Sequence, residues 1–139
     1  QAQLADGLGF DAVSITEHHL VNCLMMPAPL TFAVKIAAHT QQIKILTSVV
    51  VLPLHDMRTY AGEVVVADIF CEGHLFLRVG RGAFKFEMER LGVPMEYAIE
   101  MITTILPEAG SAFGTNRQMQ RISGSLRHLR CVHRIKSVM

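Results

Sequence analysis

The chain has 139 residues, the length of one ordinary domain; half are apolar and 18% are charged. That composition excludes a disordered chain and supplies enough apolar surface for a buried core. A net charge of +1 selects no class of partner, and no apolar run reaches the ~18–20 residues that a membrane-spanning helix needs.

Residues 1–8 read as the end of a helix, closed by Gly7 or Gly9. Asp11 to Thr16 is a short, apolar, β-branched run, predicted as a buried strand that ends at Glu17-His18-His19. A loop with Pro27 and Pro29 follows. Leu30 to Gln41 carries Leu30, Phe32, Ala33, Ile36, Ala37 and Thr40 at helical spacing, which predicts an amphipathic helix. Ile43 to Leu52 is the strongest strand pattern in the chain. Its nearly unbroken β-branched run predicts a strand covered on both faces and stopped by Pro53. Thr59 to Phe70 reads as helix, and Leu75 to Val79 as a third strand running into Gly80-Arg81-Gly82. A loop with Phe84, Phe86 and Glu87 leads to a last helix over Met95 to Leu106, stopped by Pro107.

Strands alternating with helices about 30 residues apart imply right-handed crossovers and a parallel sheet. An open doubly wound sheet and a piece of a (β/α)8 barrel both fit. The division expected is a domain over residues 1–107 and a divergent, poorly ordered tail over 108–139. No acid follows Glu108, whereas Arg117, Arg121, Arg127, Arg130, Arg134 and Lys136 do.

Cys23, Cys71 and Cys131 form no CxxC pair, so neither a zinc knot nor a disulfide framework is indicated. Reduced thiols in a cytoplasmic protein are the simplest reading. The first residues, Gln1-Ala2-Gln3, lack an initiator Met and the pattern of a signal peptide, so the chain is expected to begin in mid-protein. Neither a P-loop nor GxGxxG is present.

Three stretches in order resemble the bacterial luciferase-like flavin-dependent monooxygenases. They are Gly9-Phe10-Asp11 with Glu17-His18-His19, then Thr47 through Pro53 with Asp56, and then Asp68 through Gly73 with Val79-Gly80-Arg81-Gly82, Phe86-Glu87 and Leu91-Gly92-Val93. The resemblance covers residues 1–106. It implies a partial TIM (β/α)8 barrel: three βα units, with parallel strands corresponding to the second to fourth of the complete barrel. Such a fragment has unpaired outer edges and an exposed apolar inner face. The activity implied is oxidation of a small organic substrate by O2 and reduced FMN, or the deazaflavin F420 in some relatives. A separate reductase supplies the reduced flavin.

All three clusters fall at the C-terminal ends of predicted strands, where barrel enzymes place their sites. By the resemblance, His18 sits beside the flavin and assists its reaction with oxygen; imidazole can give or take a proton near working pH. Ser48 and Val49 occupy positions where the family runs backbone against the flavin ring, often through a strained peptide and a bulge. Val49 is bulkier than the alanine of some relatives. Arg81 resembles the family's phosphate-contacting arginine, whose guanidinium can grip a phosphate through two hydrogen bonds. Each has a structural alternative: a satisfied strand-end histidine, plain core packing, a solvated arginine in a glycine turn. Neighbouring strand residues point to opposite faces, so Glu17, His18 and His19 are not expected to share a metal ion; Glu17 and His19 are read as holding the turn. Phe84, Phe86 and the methionines serve either as a substrate pocket or as core filler.

Arg78, His74, Cys71 and Gly62 depart from the family pattern, where Gly, Arg, Ser and Glu are common. Arg78 is the most serious, because an inward charge on a core strand is costly unless paired. With the lost pattern after Pro107, these changes point to a relaxed or truncated reading frame. The competing readings are an inactive barrel remnant, alone or docked in a homo- or heterodimer, and last a nucleic-acid binder working through the basic tail. That tail has no aromatic interleaving and no recognition motif.

Overall fold

A computed structural model describes residues 1–22 and 25–104. The basic tail, the end of the helix expected over Met95 to Leu106, Cys23 and Cys131 lie outside these residues. The elements run α1 (Ala2–Gly7), β1 (Ala12–Ile15), α2 (Pro29–Ala37), β2 (Lys44–Thr47), β3 (Val50–Val51), α3 (Met57–Phe70), β4 (Leu75–Phe76), β5 (Val79–Gly80) and α4 (Lys85–Arg90). Short 3-10 turns cover Leu52–Leu54 and Met95–Tyr97.

β1, β2 and β4 form one parallel sheet in that order, and β3 pairs in parallel with β5. The run expected as one strand over Ile43 to Leu52 is therefore two pieces, as is the one over Leu75 to Val79. Ile45 pairs with Leu75 and Val50 with Val79, so residues 46–49 stand against only 76–78. This extra residue is a bulge. The ladder there is replaced by the Thr47 hydroxyl, which donates to the Arg78 carbonyl (2.8 Å) and accepts from the Arg78 N–H (2.7 Å). The Ser48–Val49 peptide within the bulge is cis.

Alternation along the strands decides what is covered. Ile43, Ile45 and Thr47 are buried, and Ile45 packs with Ala33 and Ile36 of α2 and Val64 and Ala67 of α3. Burial of each large aliphatic side chain contributes roughly 1.5–3 kcal/mol. The intervening positions face outward: Lys44 is exposed, Leu46 half-buried, and Phe76 is 39% exposed with the Lys44 ammonium 5.7 Å from its ring centre. The central strand is thus covered on one face only, contrary to the two-sided burial its sequence predicts, because three βα units place helices on one side and do not curve closed. Arg78 also escapes its expected cost. It is half-buried at the bulge, with no ion pair among the described residues.

Local chemistry explains the helix boundaries. Pro29 occupies the first turn of α2. The Asp56 carboxylate caps α3 by accepting from the Arg58 N–H (3.0 Å). Asp6 on α1 accepts from the backbone N–H groups of Gln41, Gln42 and Ile43, fastening that helix to the entrance of β2. The segment expected as a loop around Phe86 and Glu87 is helical instead. Its i,i+4 contacts explain why: Lys85 to Glu89 at 3.5 Å, and the Arg90 guanidinium 4.1 Å from the Phe86 ring centre. No helix among the described residues is long and apolar enough to cross a membrane.

Candidate active site

Because all strands are parallel, the segments that follow β1, β3 and β5 emerge at one rim. They carry Thr16–His19, Leu52–Asp56 and Arg81–Glu87. Two buried carboxylates organise this rim.

Glu17 is 2% exposed. Its Oε1 accepts from Nε2 of His19 and of His55, both at 2.9 Å, and its Oε2 accepts from the Val51 N–H at 2.7 Å. Burial alone would raise its pKa, but the hydrogen bonds from His55, His19 and Val51 outweigh it and hold the carboxyl below its ordinary 4.5. His55 stacks on Tyr60, ring centres 3.9 Å apart. The Tyr60 hydroxyl is buried without a hydrogen-bond partner among the described residues. Burial, with Glu17 and Glu63 adding repulsion, pushes its pKa up.

Glu87, in the first turn of α4, is 4% exposed. Its Oε1 accepts the backbone N–H of His19, and its Oε2 lies 3.3 Å from Nδ1 of His18. The His18 backbone exchanges two hydrogen bonds with Met26 (3.2 and 3.1 Å). Its ring meets Phe84 edge-on, with centres 5.1 Å apart. His18 Nε2 has no partner among the described residues.

Ser48 and Val49 lie at the bulge, both half-buried. Val49 explains Gly80: a Cβ there would sit 2.7 Å from Val49 Cγ2. Gly82 has φ +85°, a conformation that L side chains rarely adopt. Arg81 between them is exposed; its Nη1 lies 3.5 Å from Met95 Sδ, and it makes no ion pair among the described residues. His18 and Arg81 make no direct contact, but the loop that starts at Arg81 reaches His18 through Phe84 and Glu87.

Of the expected pocket residues, Phe84 and Phe86 are about half exposed, while Met88 is buried in a small cluster with Val51 and Ala98. Burial pushes the Cys71 thiol up to about 11, with Asp68 adding, which makes it inert. No group of His, Cys, Asp and Glu among the described residues is arranged to hold a metal ion. His55 is absent from the sequence expectations. Glu17 and His19 share a side by their i,i+2 spacing, and a buried acid demands donors. Once Glu17 is seen to be buried, that demand accounts for a donor from the neighbouring strand end, but nothing in the sequence singled out His55.

Parallel strands with their polar side chains gathered at the C-terminal rim fit a segment of a (β/α)8 barrel. The family model for luciferase-like monooxygenases matches residues 1–103, so the chain belongs to that family. Uncharacterised protein y4vJ of Sinorhizobium fredii is 36% identical over 70% of this chain. The oxygenase component of the flavin-dependent trigonelline monooxygenase of Acinetobacter baylyi is 35% identical over 64% of it. Among solved structures, the monooxygenase RslO1 of Streptomyces bottropensis superposes with a TM-score of 0.68, at 28% identity over 71% of this chain. The chain spans 28%, 25% and 30% of the length of these three proteins.

Proposed function

We propose that this chain is the flavin-holding portion of a luciferase-like monooxygenase that oxidises a small organic substrate with O2. One observation carries the reading: among the described residues, an imidazole with an unpartnered nitrogen and a guanidinium without an ion pair stand at the same rim. That donor set fits a flavin. Arg81 would hold its phosphate by charge-assisted hydrogen bonds. The bulge at Ser48 and Val49, packed tightly on Gly80, offers backbone for the flat ring. His18 would hold or move a proton at Nε2. Reduced FMN, or F420, would supply the electrons that activate oxygen. A separate reductase provides the reduced flavin, in keeping with a relative described as an oxygenase component. A cytoplasmic location belongs to the same reading.

Titrating the 139-residue chain with FMN, riboflavin and F420 while following melting temperature and flavin fluorescence tests it, since a ligand stabilises only the state that binds it. FMN is expected to raise the melting temperature. Arg81→Ala should weaken FMN by about tenfold and leave riboflavin unchanged, because only FMN carries the phosphate. Absence of any effect at millimolar flavin would sink the proposal. The open sheet face with Phe76 favours a second reading, a non-catalytic remnant that docks with another chain. Dimers on size exclusion without flavin binding would select it.

A further inference from the structure

We infer that Glu87 is a positioning residue that sets the tautomer and orientation of His18, so that Nε2 is the nitrogen that works at the rim. What Nε2 acts upon rests on the flavin reading; the hydrogen bonding does not. An ionised carboxylate can only accept. Glu87 Oε2 at 3.3 Å therefore calls for a proton on His18 Nδ1. This distance is at the long end, as catalytic hydrogen bonds often are before a ligand closes them. A neutral imidazole has one N–H, so its lone pair is left on Nε2. In water, free imidazole side chains favour the opposite tautomer, and the preference at His18 must come from its surroundings.

His18 is held at both its backbone and its ring, and Glu87 itself is anchored. Both backbone hydrogen-bonding groups of His18 are engaged by Met26, Phe84 meets the ring edge-on, and the second oxygen of Glu87 holds the N–H of His19. Glu17 imposes the reverse arrangement on its own histidines. It receives His19 and His55 through Nε2. Two buried carboxylates thus sort three imidazoles into two orientations. When His18 Nε2 takes a proton, Nδ1 keeps its own and Glu87 remains a carboxylate facing the new charge. This is the relation of an orienting acid to a catalytic histidine.

The test is long-range 1H–15N correlation of the His18 ring in the intact chain, at a pH where the ring is neutral. Wild type should report a proton on Nδ1. Glu87→Gln should lose that preference, Glu87→Asp should restore much of it, and Glu89→Gln on the exposed side of α4 should change nothing. Circular dichroism of each variant establishes that the fold is kept. A wild-type His18 protonated on Nε2 overturns the inference even if no Glu87 variant folds. So does an Nδ1 proton that persists in folded Glu87→Gln. Flavin titration of the same samples separates the two proposals. Loss of flavin binding with the tautomer as expected refutes only the oxygenase reading, and flavin binding with the wrong tautomer refutes only this one.

Discussion

Glu17 and Glu87 are both buried at the same rim and both touch the tripeptide Glu17-His18-His19, yet their surroundings differ. Glu17 is enclosed by three donors from two strand ends, each at 2.9 Å or less. Glu87 holds one backbone N–H and one imidazole, and that imidazole keeps a nitrogen without a partner among the described residues. A carboxylate saturated by donors fastens loops together. One that grips a ring from behind leaves the front of the ring available for chemistry. His19, read from sequence as holding the turn, is bonded to Glu17 in the first way, and His18 is the residue proposed to act.

The sharpest way to break this contrast is Glu17→Gln. It strips charge from a buried cluster and leaves His19, His55 and the Val51 N–H short of acceptors. We expect a loss of about 3 kcal/mol in urea unfolding; a loss under about 1 kcal/mol would remove its fastening role. Acid gives a second measure. A carboxyl held below its ordinary 4.5 contributes stability that is present above that pH and is lost as pH falls through the lower folded value. Stability of the wild type should therefore fall more steeply below about pH 4.5 than that of Glu17→Gln, and equal slopes would contradict the assignment. Glu87→Gln should cost less, about 1 kcal/mol, since it withdraws one acceptor from a smaller set. A cost equal to that of Glu17→Gln would erase the distinction. The smallest effect is expected at Tyr60→Phe. It deletes a buried hydroxyl that has no partner among the described residues and leaves the stacking on His55, so unfolding should shift by under about 0.5 kcal/mol in either direction.

Much of the architecture was legible from local pattern. The β-branched runs and the helical spacing located β1, β2, α2 and α3 to within a few residues, because each pattern is set by the geometry of its own element. The same pattern put Glu17, His18, His19 and Arg81 at strand ends, and hence at one rim, through the rule that βα units run parallel. The ordered motifs added the family. Less legible was α4, whose six residues owe their helix to the i,i+4 contacts of Lys85 with Glu89 and Phe86 with Arg90.

By itself, then, the amino-acid order determined which segments are strands and which helices, and which polar residues arrive at the rim. Only the tertiary structure decided that Glu17 reaches His55 across 38 positions and Glu87 reaches His18 across 69. The bulge at Ser48–Val49 and the open sheet face, by contrast, are already implied by the family resemblance, and the structure has both. The reason is physical. Strand and helix periodicities follow from neighbouring residues. A hydrogen bond between distant ones depends on strand register, and here one extra residue in a bulge sets that register for everything that follows.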